Sequence, residues 1–320
     1  MGNYNAMADS VEKGRLAAAP EDQLMVLTAN LQQGLSDPTK SNQMRIFANR
    51  VSTILPLAPD VLLLQEVSGQ TATYVARLLR QRLPFDYRVA IGPSGGVVQS
   101  TDAVQEVVWD CAILLNMSTM ESLDEGGVLL STYDPVDGVP GQLVRTKQHS
   151  YLLAHKLGRS SPVALVSLHF VQSLRLAPRS IGFFYKNLWI KDIVSFIRNK
   201  YPFPTHAHVI GGDLNNPRCL GTPETVKCDE WPFWRRVTKL SGCRDAIFDV
   251  HGTTNRALHK QARRGHRTAK PRIDYVFTTT PVLNSSHDVN YGALPGEPGF
   301  YSDHRFLWAH LKLPPGVQGE

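Results

Sequence analysis

The chain has 320 residues, of which 42% are hydrophobic and 19% charged, with 24 Gly and 21 Pro spread without a period. That composition builds a substantial core and excludes a disordered, collagenous or coiled-coil protein. The net charge is +6, from 34 Lys and Arg against 28 Asp and Glu, and seven of the basic residues lie together at Arg256, Lys260, Arg263, Arg264, Arg267, Lys270 and Arg272. Without those seven, 27 positive residues face 28 negative ones, so one segment carries the whole basic balance.

Residues 1 to 22 mix Gly, Ala, Pro and charge without periodicity and are expected to form a flexible leader. A single domain over residues 23–313 and a short tail over 314–320 follow. The start, Met1-Gly2-Asn3-Tyr4-Asn5-Ala6, lacks the basic residues and apolar stretch of a secretory signal, and Ala6 stands where a myristoylation site carries Ser or Thr. A cytoplasmic location is expected, with export by a non-classical route left open. Cys111, Cys219, Cys228 and Cys243 have no C-x-x-C spacing, so neither a disulfide scaffold nor a zinc site is indicated. Cys219 and Cys228 bracket a loop that an oxidising compartment would allow to be bridged.

From Leu24 onward short β-like runs alternate with longer helical ones, which predicts an α/β protein with helices outside its sheets. Strands are predicted at Leu24 to Ala29, Val61 to Leu64, Tyr87 to Ile91, Val107 to Leu115, Tyr151 to Lys156, Val163 to His169, His208 to Ile210, Ile273 to Phe277 and Phe306 to Leu311. The longest apolar runs are strand-length, far short of the ~20 residues of a membrane-spanning helix. Helical spacing appears at Asn42 to Leu55, with Met44, Phe47, Val51 and Ile54 on one face, and at Thr71 to Leu83. A third helix, Ile181 to Lys200, would turn Ile181, Phe184, Leu188 and Ile193 or Ile197 inward and end before Pro202 and Pro204. Gly126-Gly127 reads as loop punctuation, and no linker divides the chain.

Five predicted strands end in or beside a residue suited to metal or phosphate chemistry. They are Asn30 after Leu27-Thr28-Ala29, Glu66 after Leu63-Leu64-Gln65, His169 after Val166-Ser167-Leu168, Asp213 and Asn215 after Ile210-Gly211-Gly212, and Asp274 within Arg272-Ile273-Asp274-Tyr275. Ser302-Asp303-His304 precedes the last strand. Any one of these positions alone reads as the start of a loop; the six together indicate a site at one rim of the sheets.

Leu64-Gln65-Glu66-Val67, Gly212-Asp213-Leu214-Asn215 and Ser302-Asp303-His304, in that order, resemble the signatures of the endonuclease/exonuclease/phosphatase superfamily. That superfamily comprises divalent-metal phosphodiesterases and phosphatases, among them pancreatic-type deoxyribonucleases, abasic-site endonucleases, sphingomyelinases and inositol-polyphosphate phosphatases. The resemblance implies a four-layer α/β/β/α sandwich of two packed mixed sheets flanked by helices. It also implies a magnesium-dependent phosphodiester hydrolase, with Mn²⁺ as the alternative ion. Glu66 is then a hard oxygen ligand for the metal, Asp303 a second, and Asn30 the holder of a metal-bound water or of a neighbouring carboxylate. Asp213 would position or deprotonate the attacking water and Asn215 donate to a phosphoryl oxygen. His304 would face the phosphate, as base or as charge stabiliser, with Asp274 orienting its imidazole. His169 matches the histidine that the deoxyribonuclease, sphingomyelinase and deadenylase branches carry, where abasic-site endonucleases have Tyr. The inositol-phosphatase motif Trp-Cys-Asp-Arg is replaced by Arg272-Ile273-Asp274-Tyr275.

Arg145 and Lys147, just before the strand at Tyr151, lie where members of the superfamily often place a phosphate-contacting arginine. Arg263, Arg264 and Arg267 run into the strand of Asp274, and the segment reads either as a solvated surface run or as a track for a phosphate backbone. His206 and His208, one residue apart, lack a third ligand nearby. The expected substrate is nucleic acid, DNA first, cut endonucleolytically. A sphingomyelinase-type lipid substrate and a non-catalytic nucleic-acid-binding module are the alternatives, and no obligate protein partner is evident.

Overall fold

Strand β1 (Gln23–Asn30) shows why the chain folds in layers, because both of its faces are apolar. Met25, Leu27 and Ala29 join one core cluster while Leu24 and Val26 join another. A strand apolar on both faces has to be covered twice, and period-2 alternation sends each set to its own layer. The computed structural model of the chain describes residues 16–31, 38–92, 110–131, 147–170, 179–215, 231–251, 274–288, 301–302 and 304–315.

Thirteen strands and five helices lie among the described residues. After β1 come α1 (Pro38–Ile54), β2 (Val61–Val67), α2 (Gly69–Arg82), β3 (Tyr87–Ile91), β4 (Asp110–Asn116), β5 (Met120–Ser122), β6 (Gly127–Ser131), β7 (Lys147–Lys156) and β8 (Pro162–His169). Then follow α3 (Arg179–Lys200), β9 (Ala207–Asp213), α4 (Trp231–Ser241), β10 (Arg244–Asp245), α5 (Ala246–His251), β11 (Asp274–Thr278), β12 (Val282–His287) and β13 (Leu307–Lys312).

The strands form two mixed sheets. One has the order β12-β13-β1-β2-β4-β3, the other β10-β11-β9-β8-β7-β5 with β6 also on β7. Leu24, Val26, Val61, Leu63, Ile113 and Leu115 of the first sheet pack against Leu152, Val163, Leu165, Val209 and Val276 of the second. Met44, Phe47, Ala48 and Val51 of α1 and Val75 and Leu79 of α2 cover the first sheet from outside. Ile190, Ile193, Val194 and Ile197 of α3 cover the second. The architecture is the α/β/β/α sandwich.

In α3, Ile193 and Ile197 are buried as expected, whereas Leu188 is 41% exposed and Trp189, Ile190 and Val194 are buried in its stead; the side chains of Ile181 and Phe184 lie outside the described residues. Apolar residues surround this helix on most sides, so spacing alone allowed two phases. Residues 16–22, expected within the leader, pack against the domain, and residues 1–15 lie outside the described residues. Leu16 and Ala19 are buried, and the Ala58 N–H donates to the Ala17 carbonyl at 2.9 Å. The strand expected at His208 to Ile210 runs on to Asp213. Gly127, expected in a loop, opens β6, and the polar β12 was not anticipated.

At one rim, the buried Lys156 at the end of β7 ties the sheets together. Its Nζ donates to Asp60 Oδ1 at 2.7 Å and to the Ala19 carbonyl at 3.0 Å. Asp60 also accepts from Thr119 Oγ1 at 2.7 Å and from the Met25 N–H at 2.8 Å. No described helix is long and apolar enough to cross a membrane. Cys111 and Cys243 are buried free thiols, and Cys219 and Cys228 lie outside the described residues.

Among the described residues His208 belongs to no group of potential metal ligands; its Nε2 lies 2.7 Å from the Tyr201 carbonyl, an acceptor only, so Nε2 carries the proton. Burial pushes the imidazole below its ordinary pKa, and His310 is lowered for the same reason. The unfolded chain takes up these protons near the ordinary histidine value of about 6.5 before the folded chain does, so stability is constant above that pH and falls below it. Each histidine contributes a slope of at most about 1.4 kcal/mol per pH unit. Melting curves at pH 7.5 and 5.5 should show the drop, and His208→Gln, which keeps an N–H donor without titrating, should reduce it. An equal drop in the variant would remove His208 from the account.

Candidate active site

At the rim opposite Asp60 and Lys156, both parallel strand pairs end together. In the second sheet β8 pairs parallel with β9, placing His169 beside Asp213, and β9 pairs antiparallel with β11, placing Asp213 beside Asp274. Three of the side chains singled out in the sequence therefore stand in one row, set by main-chain register. Gly212 makes the row possible: its φ is +148°, and a Cβ there would lie 1.9 Å from the Leu168 carbonyl oxygen. Any side chain would force β8 and β9 apart at the residue before Asp213.

In the first sheet Asn30 pairs with Gln65 across β1 and β2. The β2–β4 register then shifts between Leu64 and Val67, and Glu66 adopts φ +53°, the left-handed region. A bulge with left-handed backbone turns a side chain away from the regular alternation. Here it brings Glu66 to the rim while Gln65 stays in the seam between the sheets. Gln65 Nε2 donates to Ser167 Oγ of β8 at 2.9 Å, and Ser167 Oγ donates to the Leu64 carbonyl at 3.0 Å.

The side chains converge on Asp213 Oδ2. Asn30 Nδ2 donates to it at 3.0 Å and to Glu66 Oε1 at 3.1 Å, bridging the two carboxylates. Asn215 Nδ2 donates to Asp213 Oδ2 at 3.1 Å and its main-chain N–H to Oδ1 at 2.7 Å. These donors suit an ionised carboxylate, which can only accept. Nε2 of His169 lies 3.3 Å from Glu66 Oε1 and 3.8 Å from Asp213 Oδ2, and Nε2 of His304 lies 3.7 Å from Asp213 Oδ2. His304 Nδ1 donates to Asp274 Oδ2 at 2.9 Å. That contact fixes the ring's tautomer and leaves Nε2 turned to the centre. Ser302, fully buried, joins the two halves of the site by donating to the Asn30 carbonyl at 2.6 Å and accepting from the His304 N–H at 3.1 Å.

The donor set suits a hard divalent cation. The Glu66 side chain is 20% exposed, whereas those of Asp213, His169, His304 and Asp274 are at most 3% exposed. Both contacts of Glu66 fall on Oε1, and Oε2 has no partner among the described residues. A partly exposed carboxylate beside buried carboxylates and imidazoles, with no thiolate, matches an ion that keeps several waters. Ligand atoms of Glu66, His169 and Asp213 lie within 4.8 Å of one another, as do those of Asp213, Asp274 and His304.

Seven residues singled out in the sequence, Asn30, Glu66, His169, Asp213, Asn215, Asp274 and His304, thus meet in one place. Asp303, Arg145, Arg263, Arg264 and Arg267 lie outside the described residues. Gln65, Ser167, Ser302 and His149 contribute contacts to which the sequence reading assigned no role. Gln65 and Ser302 lie inside the recognised motifs, so their burial was the missing signal; His149 sits in a polar run that carried none.

Known proteins match over the same span. A family model described as the endonuclease/exonuclease/phosphatase family matches residues 27–304. An endonuclease/exonuclease/phosphatase family protein from Bacteroides thetaiotaomicron superposes with a TM-score of 0.62 at 14% identity, over 91% of this chain and 95% of its own. The corresponding protein from Leptotrichia buccalis gives 0.58 at 13% identity, over 91% and 100%. TDP2 from Caenorhabditis elegans gives 0.55 at 18% identity, over 97% and 80%. At these identities the likeness is one of fold. No curated protein matches the chain. The family match over residues 27–304, ending on the His304 that completes the site, establishes that the chain belongs to the endonuclease/exonuclease/phosphatase family, whose members are hydrolases acting on phosphoester bonds.

Proposed function

We propose that the protein is a Mg²⁺-dependent phosphodiesterase that cuts nucleic acid, with DNA as the preferred substrate. The observation that carries the hydrolytic part is the convergence of Asn30, His169, Asn215 and His304 on Asp213 Oδ2, beside the partly exposed carboxylate of Glu66. Phosphodiester hydrolysis needs a nucleophilic water, stabilisation of the charge on the pentavalent phosphorus, and a neutralised leaving oxygen. Asp213 offers an acceptor for the proton of the attacking water. Asn215 and His304 offer N–H donors to the phosphoryl oxygens, with the Asp274 carboxylate stabilising an imidazolium at His304. His169, on the Glu66 side, offers a proton donor to the leaving oxygen. A divalent ion at Glu66, with Asp303 as its second carboxylate, would supply Lewis-acid stabilisation of the phosphate.

Support for nucleic acid comes from the chain's charge. Seven Lys and Arg without an acidic residue between Arg256 and Arg272 lead directly into β11, whose first residue is Asp274. A cation run adjoining the strand of Asp274 in sequence would suit a polyanion that extends beyond the cleaved bond.

Glu66→Gln keeps the side chain's shape and removes a metal-binding charge. Hydrolysis of a small chromogenic phosphodiester should fall by orders of magnitude at limiting Mg²⁺ and recover in part at high Mg²⁺. Near-normal turnover at limiting Mg²⁺ would reject the metal assignment. For substrate class, supercoiled plasmid, single-stranded RNA and sphingomyelin are offered in parallel, with Mg²⁺ or EDTA. Plasmid cleavage should lead and should weaken steeply with salt, with a log–log slope of about −0.9 per phosphate contact. Changing Arg263, Arg264 and Arg267 together to Ala should flatten that slope and spare the chromogenic ester. Preference for sphingomyelin would overturn the nucleic-acid reading, and so would plasmid cutting by the triple variant at the parent's rate across the salt series.

A further inference from the structure

We infer that His149, a fully buried histidine near the start of β7, is a positioning residue for catalysis that sets the place of His169 through its main chain. The inference rests on the hydrolytic reading of the site given above. The β7–β8 ladder pairs Ser150 with Ser167 and extends no further toward the rim. Continued by two residues, its antiparallel register would carry the strand to His169. At that point the His169 N–H donates to Nδ1 of His149, at 3.2 Å. The imidazole meets the main chain at the residue that faces the reacting phosphate.

This contact fixes the tautomer of His149. Nδ1 accepts from an amide N–H, so it carries no proton, and in the neutral ring the proton is on Nε2. The ring also packs against the following residue, with centroids of His149 and Phe170 5.1 Å apart at 59°, and Phe170 stacks on Trp189 of α3 at 6.3 Å and 9°. The Phe170 main chain is committed at both ends to the catalytic row. Its N–H donates to the Asp213 carbonyl at 2.9 Å and its carbonyl accepts from Asn215 Nδ2 at 2.7 Å. His149 therefore holds the His169-Phe170 dipeptide from the β7 side, while Asp213 and Asn215 hold it from the β9 side. Without the imidazole the buried His169 N–H loses its acceptor, and the dipeptide is free to shift relative to Asp213. Displacements of about 1 Å in such a position cost on the order of a hundredfold in rate.

His149→Leu removes the acceptor, whereas His149→Asn returns an amide oxygen near the place of Nδ1. On a small chromogenic phosphodiester, His149→Leu should lower kcat by about 10- to 100-fold with KM nearly unchanged, and His149→Asn should recover most of the loss. If His149 acts through His169, His149→Leu should have little further effect in a His169→Ala background. Residue-resolved amide hydrogen exchange should show the His169 N–H protected in the parent and in His149→Asn but fast in His149→Leu. Should the leucine variant not fold, His149→Gln, which moves the acceptor by one methylene, takes its place in the same cycle. An equal loss of kcat with and without His169, or unchanged protection of the His169 N–H, overturns the inference. A parent inactive on every phosphoester overturns the hydrolytic reading instead, and the exchange measurement still decides whether His149 holds the amide.

Discussion

The main-chain ladder that places His169, Asp213 and Asp274 side by side across β8, β9 and β11 is the constraint on which the site depends. A ladder fixes its partners to within tenths of an ångström, so three side chains reach one region without a long loop having to carry any of them. Its price is a backbone approach that tolerates only glycine at residue 212, where a Cβ would meet the Leu168 carbonyl at 1.9 Å. At Gly211 a Cβ would lie 2.6 Å from Leu63 Cδ1 of the other sheet, the end of a side chain that can move, so the strict demand for glycine falls on residue 212 alone.

The first sheet delivers Glu66 by the opposite device. It breaks regularity instead of extending it, through the register shift in β2 and the left-handed backbone at Glu66. Left-handed backbone at a residue with a Cβ is unfavourable by about 1–3 kcal/mol, so the surroundings must hold it. The holding contacts are buried and polar. Gln65 reaches Ser167 across the sheet interface, and the Leu31 N–H donates to the Gln65 carbonyl at 3.0 Å. The same residue that bridges the two sheets thus precedes the strained one, so contact between the sheets and placement of the Glu66 carboxylate are linked.

What the sequence revealed followed from where apolar runs stop. Thr28-Ala29-Asn30, Leu64-Gln65-Glu66 and Gly212-Asp213-Leu214-Asn215 each end a hydrophobic strand on a polar residue, and strand ends meet at rims. The layers were legible for the same reason, because β1 and β2 are apolar on both faces. Hidden features were those in which polar residues are buried or hydrogen bonds replace apolar pattern. β12 carries Asn284, Ser285 and Ser286 and is a strand because β13 offers it a ladder. Lys147-Gln148-His149-Ser150 resembles a loop, yet Gln148, His149 and Ser150 are buried in β7. In α3, apolar residues at Leu188, Trp189 and Ile190 leave the phase of the helix undetermined until its neighbours fix it.

Electrostatics explains why these groups are gathered with an amide among them. Ligand oxygens of Glu66 and Asp213 lie within 4.8 Å, and two like charges at that separation repel by roughly 3–4 kcal/mol at an effective dielectric of about 20. Asn30 answers this with one neutral NH₂ group that donates to both carboxylates. A lysine there would cancel one of the two negative charges and weaken the site's attraction for a cation; an apolar residue would leave the repulsion unopposed. The neutral bridge holds the carboxylates together while preserving their negative charge. An anionic substrate is repelled by such a site on its own and attracted once a divalent cation is held there, so the charge pattern makes cation and phosphate mutually dependent ligands. His169 and His304 lie on either side of Asp213, each within 3.8 Å of its Oδ2, and complete the positive half of the arrangement when they carry a proton.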